Sequence, residues 1–204
     1  ASTEITFSGG AENSNSIYNG IDVGQGIDGG TIGLGYQLTE GSVEAVENST
    51  AEFTVDLSAA TKSTGIYSAG GTISISGSKY SSTINESRGA DLDNASIYAT
   101  DGTVNFAASG VDGVTLTSDC LGIVISGTLN FNSGNVDINT KNGTAIYVYQ
   151  GSLTAQQAVT VDIISGINGK GWGVEGAESQ SNIYNGVFVN GGSLTAYGTF
   201  NVTH

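Results

Sequence analysis

The sequence predicts an all-β chain, a single right-handed parallel β-helix of about 7 to 9 coils, with three observations behind that expectation. First, one phrase recurs with changed wording: GIYSAGGTISISG, SIYATDGTVNFAASG, LGIVISGTLNFNSG, AIYVYQGSLTAQQ and GVFVNGGSLTAYG. Second, apolar residues in each copy alternate with polar ones, the period of a half-buried strand. Third, 32 Gly, no Pro and only 12% charged residues suit a stack of short strands and sharp turns.

The elements follow in chain order. Ile5, Phe7, Ile17, Ile21, Val23, Ile32 and Leu34 give strand-like but less regular coils over residues 1–60, as terminal repeats usually are. Within EGSVEAVENSTAEF lies the one helix candidate, residues 42–47, where Ser42 can cap and Val43 and Val46 can share a face. Strand alternation resumes with Phe53, Val55 and Leu57. From 61 to 204 the turn glycines Gly71, Gly102, Gly127, Gly151 and Gly192 mark successive units 31, 25, 24 and 41 residues apart. Between units sits a third alternating segment, such as Val114 and Leu116, Val136 and Ile138, or Val159, Val161 and Ile163. Three short strands per period bend into a triangle that can bury one face only by stacking on the next coil. The longer spacings hold insertions near 78–95 and 165–182, so the whole chain reads as one domain.

Other β architectures fit less well. A sandwich wants strands of about five or six residues with Asn-Gly or Asp-Gly hairpins, and a propeller wants four strands in about 40 to 50 residues. Expected inside are Ile66, Ile73, Ile75, Ile97, Val104, Phe106, Ile123, Ile125, Leu129, Phe131, Ile146, Val148, Leu153, Val187, Val189 and Leu194.

Charge narrows the function classes. Five basic residues against 19 acidic ones, a net charge of -14, cannot assemble a phosphate-tracking surface, so nucleic acid is not an expected partner. The same balance disfavours anionic lipid, and no run approaches the roughly 18 apolar residues of a membrane helix. The only His is His204, poorly placed for base catalysis, and a uronate lyase would need more than one Arg, Arg88, and four scattered Lys. Asp91 and Asp93 alternate as a carboxylate pair would, or as calcium ligands with Asn94, but a solvated turn explains them better. No metal, no cofactor and no catalytic residue is expected. Cys120, alone and among apolar neighbours, reads as a small buried side chain. Five glycosylation sequons, at Asn48, Asn85, Asn94, Asn142 and Asn201, are what an Asn-, Ser- and Thr-rich chain gives by chance.

Candidate binding residues are aromatic. Tyr67, Tyr98, Tyr147 and Phe188 each follow the first inward aliphatic of a unit, so they should point outward and form a ladder. Such a ladder braces a solenoid, and it can also serve as a platform for sugar rings or a partner surface. Trp172, in the Gly-rich GKGWGVEG, is the other ring candidate, packed under its loop or free to stack on a ligand.

The phrase typified by GIYSAGGTISISG resembles the repeats of adhesin-like surface proteins, including autotransporter-type passengers, and of β-helical carbohydrate-binding modules, over about Thr64 to Thr203. The resemblance implies a secreted or cell-surface location and a non-enzymatic structural or adhesive role, with carbohydrate binding as the alternative. The catalytic blocks of β-helical pectinases have no counterpart here. The absence of an initiator Met suits an exported chain or a fragment of a longer one. The ends, STEITFSGG and GGSLTAYGTFNVTH, alternate without a cap signal. The expected partners are therefore the chain itself, end to end through β-strand edges, or the coils of a longer parent, with polysaccharide or a host surface as possible ligands.

Overall fold

In the computed structural model the described residues are 4–8, 18–23, 31–34, 36–39, 42–45, 50–60, 63–84, 95–106, 113–119, 121–141, 144–165 and 186–203. They form a parallel β-helix whose turns each contribute one strand to each of three sheets. The first turn supplies β1 (Glu4–Ser8), β2 (Tyr18–Val23) and β3 (Thr31–Leu34), followed by the antiparallel hairpin β4 (Tyr36–Thr39) and β5 (Ser42–Ala45). The second supplies β6 (Glu52–Leu57), β7 (Ser63–Ser68) and β8 (Thr72–Ile75); the third β9 (Lys79–Ile84), β10 (Ala95–Ala99) and β11 (Thr103–Phe106). Next come β12 (Gly113–Ser118), β13 (Leu121–Ile125) and β14 (Thr128–Phe131), then β15 (Gly134–Thr140), β16 (Ile146–Val148) and β17 (Ser152–Ala155). The sixth turn holds β18 (Val159–Ile164), β19 (Val187–Val189) and β20 (Ser193–Ala196), and β21 (Thr199–Thr203) returns to the first sheet. Sheet A is thus 7-stranded, β1-β6-β9-β12-β15-β18-β21, while sheets B (β2 to β19) and C (β3 to β20) are 6-stranded.

Three expectations are corrected. The 42–47 helix candidate is instead strand β5 across Ser42–Ala45, paired with β4, and no helix occurs among the described residues. Val43 lies opposite Leu38, so the pairing partner that decides the conformation sits in another strand. The coils number about 6, not 7 to 9. The reason is length: Glu4 to Glu52 and Thr160 to Thr199 each make a single turn, 48 and 39 residues long against 25 from Gly134 to Val159. Finally, Lys79–Ile84, placed by the sequence inside an insertion, is a regular strand of sheet A, in register with both Glu52–Leu57 and Gly113–Ser118.

The interior is built from ladders of like residues one coil apart, a spacing of about 4.8 Å. Ile73, Val104, Leu129 and Leu153 stack in sheet C beside Ile75, Phe106 and Phe131, all at 0 to 1% exposure. Phe106 lies between Tyr80 and Phe131, with centroids 5.3 and 5.4 Å away. Of the predicted core, only the last coil departs: Val187 and Leu194 are half-buried and Val189 is 43% exposed, since among the described residues no further coil lies over them.

Small residues at one corner bring sheets A and B together. The position before the inward aliphatic of sheet B is Gly20, Gly65, Ser96, Gly122, Ala145 or Gly186. A Cβ on Gly122 would lie 2.4 Å from the Ala145 carbonyl oxygen and 2.7 Å from Ile138 Cγ2, so the close approach itself demands glycine there. The predicted turn glycines Gly71, Gly102, Gly127, Gly151 and Gly192 form the opposite corner, each one residue before an aligned Thr or Ser of sheet C.

Candidate functional site

The three outward faces differ in chemistry, because in each strand the residues between inward ones point away from the core. On sheet A the outward ladder through Thr54, Ser81, Thr115, Asp137, Asp162 and Asn201 mixes hydroxyls with carboxylates, and Glu52, Asp56 and Lys79 add further charge. Thr54 and Ser81 hydroxyls are 3.2 Å apart, and Asn201 Nδ2 donates to Asp162 Oδ1 at 2.7 Å. The Asp56 carboxylate accepts from Ser58, its backbone N–H at 3.0 Å included, which holds its pKa below the usual carboxylate range. Lys141 is committed to Asp119 at 2.6 Å.

On sheet B the expected aromatic ladder exists, with one interruption. The register runs Asp22, Tyr67, Tyr98, Val124, Tyr147, Phe188, so Val124 stands where the fourth copy has no ring. Tyr67 and Tyr98 are tilted, 5.6 Å apart, while Tyr147 and Phe188 stack at 5.2 Å with planes 22° apart. Val124 is 1% and Tyr147 6% exposed, and with Ala95 and Leu121 they form a second apolar cluster outside the main core. The centre of the ladder is therefore closed to solvent, and open ring surface is found at half-buried Tyr67, Tyr98 and Phe188 and at Tyr149, 44% exposed, which packs edge-on against Tyr147 with centroids 6.1 Å apart. Trp172, Cys120, Asp91, Asp93 and His204 lie outside the described residues.

Sheet C presents what the sequence reading passed over. One outward column is Thr72, Thr103, Thr128, Ser152 and Ser193; the next is Ser74, Asn105, Asn130, Thr154 and Thr195. None is charged, and every one is at least partly exposed. Asn130 Nδ2 donates to Asn105 Oδ1 at 2.8 Å, so one amide orients the next along the column. The signal was present in the recurring GTIS, GTVN, GTLN and GSLT, whose second and fourth residues share one side of a strand.

Polar groups inside the solenoid are not part of any reachable surface. Ser96 Oγ is enclosed without a hydrogen-bond partner, Tyr80 Oη and Ser82 Oγ are enclosed facing each other, and burial pushes the Tyr80 phenol well above its ordinary pKa. No group of three or more His, Cys, Asp or Glu able to hold a metal ion occurs among the described residues. Comparison with family models, curated proteins and solved structures found no match.

Proposed function

We propose that this chain is a non-enzymatic structural and adhesive segment of a secreted or cell-surface protein, a stiff rod whose lateral faces make many weak, repeated contacts. The observation that carries the reading is the in-register repetition of outward hydroxyl and amide side chains from Thr72 to Thr195, coil after coil, on a fully packed core. Repetition multiplies weak contacts through effective concentration, the physics an adhesive surface needs. The second reading, a carbohydrate-binding module, is favoured by the absence of charge from that face. Assembly extends the rod: Val189 and Val202, 43% and 48% exposed on the last coil, offer apolar ladder ends to coils of a longer parent chain or of another copy.

Adhesion is tested with microspheres carrying the purified chain, flowed over cell-wall material. Retention well above that of albumin-coated spheres is expected; retention equal to albumin, or release of reducing sugar from a polysaccharide panel, overturns the proposal. Sedimentation at rising concentration reads the assembly arm, where a strict monomer at every concentration removes self-association.

A further inference from the structure

We propose that the outward face of sheet C is a docking surface for a neutral polysaccharide lying along the solenoid axis, one sugar to about one coil. This rests on the adhesive reading and names its face and ligand class.

Charge excludes most other occupants. In a chain of net charge -14, the outward positions of β8, β11, β14, β17 and β20 carry no ionised group, while the neighbouring sheet A face carries Asp137 and Asp162. An anionic glycan would meet that acidic field, and a cation would find no carboxylate on the face. A protein partner would require apolar or aromatic anchors, the residues that dominate protein interfaces, and here the outward residues are Thr, Ser and Asn only. A membrane would require basic or apolar groups. What remains is a ligand that both donates and accepts hydrogen bonds without charge, namely a polyol.

The periodicity matches as well. Each coil adds ~4.8 Å, close to the length of one pyranose in an extended glycan, so Thr103 and Asn105, then Thr128 and Asn130, offer equivalent pairs to successive sugars. A hydroxyl donates and accepts in either direction, and the Asn105–Asn130 amide chain has its donor and acceptor ends already oriented. The methyl of each Thr supplies an apolar patch for the C–H face of a sugar ring. Without an aromatic platform on this face each sugar binds weakly, so affinity has to come from length.

The probes are cello-, xylo- and manno-oligosaccharides of two to six units, with oligogalacturonates as the anionic counterpart, titrated against the whole chain by calorimetry. A neutral hexamer is expected to bind at least tenfold more tightly than its dimer, and oligogalacturonate not at all. The variant Thr103→Val/Thr128→Val, which keeps the branched shape and removes two hydroxyls, is expected to lose at least tenfold with its melting temperature unchanged. Thr115→Val on sheet A and Tyr98→Ala on sheet B are expected to bind like the parent. Absence of binding by every neutral hexamer, equal affinity for dimer and hexamer, or loss in Tyr98→Ala but not in the sheet C variant overturns the proposal. Microspheres that still adhere in any of these cases leave the adhesive reading standing without this face.

Discussion

Leu129, Leu153 and Leu194 occupy the same rung of successive coils, so one substitution made three times measures what stacking contributes. Leu129 and Leu153 are fully buried, whereas Leu194 in the last coil is only half-buried. Truncating Leu153 to Ala removes three carbons, a transfer loss of about 2.4 kcal/mol at ~0.8 per buried methylene. It also opens a void between coils; if about 50 Å³ persists, ~24 cal/mol per Å³ adds about 1.2 kcal/mol, for a total near 3.6. Leu194→Ala forfeits about half the transfer term and encloses no cavity, so about 1 kcal/mol is expected. The gap of ~2.5 kcal/mol is roughly a 60-fold difference in the folded-to-unfolded ratio. Urea unfolding of the three variants, followed by circular dichroism, reads the values, and hydrogen exchange separates a local effect on the last coil from a global one. Equal costs for Leu153→Ala and Leu194→Ala, or a cost below about 1.5 kcal/mol at Leu153, would refute the stacked-ladder account of stability.

Gly122→Ala is expected to destabilise by about 1–3 kcal/mol, because the new Cβ meets the Ala145 carbonyl and Ile138; a melt indistinguishable from the parent would show that this corner is looser than described. In alkaline titration followed at 295 nm, Tyr80 is expected to stay protonated beyond the pH at which exposed tyrosines ionise. Its folded pKa is raised, so its contribution to stability is complete below about pH 10 and declines as pH rises through and above that value. Ionisation of all nine tyrosines near pH 10 with native circular dichroism would contradict the burial. Ser58→Ala is expected to raise the Asp56 pKa toward the ordinary carboxylate value. Carbon-detected NMR titration checks this, and the stability tied to Asp56 is present above the unfolded pKa and fades as pH falls through the folded one.

Alternation and spacing by themselves determined the class of fold, three strands per turn, the turn glycines and nearly all of the core, because burying one face of a short strand has a local signature of period two. Ile66, Ile97, Ile123 and Ile146 could be assigned inward from their own neighbours, and the ladder of Tyr67, Tyr98, Tyr147 and Phe188 followed by parity. Only the tertiary structure decided what depends on a partner distant in sequence. Ser42–Ala45 is a strand because Tyr36–Thr39 pairs with it, and Tyr80 lies inside because Phe53 and Val114 flank it in register. The coil count fell to about 6 because the long segments close single turns, which spacing cannot distinguish from two poor ones. Parity sends Tyr147 outward, yet it is 6% exposed: direction is a property of the strand, whereas exposure depends on everything packed against it. For the same reason the uncharged columns of sheet C became a surface only once five separate phrases were aligned coil upon coil.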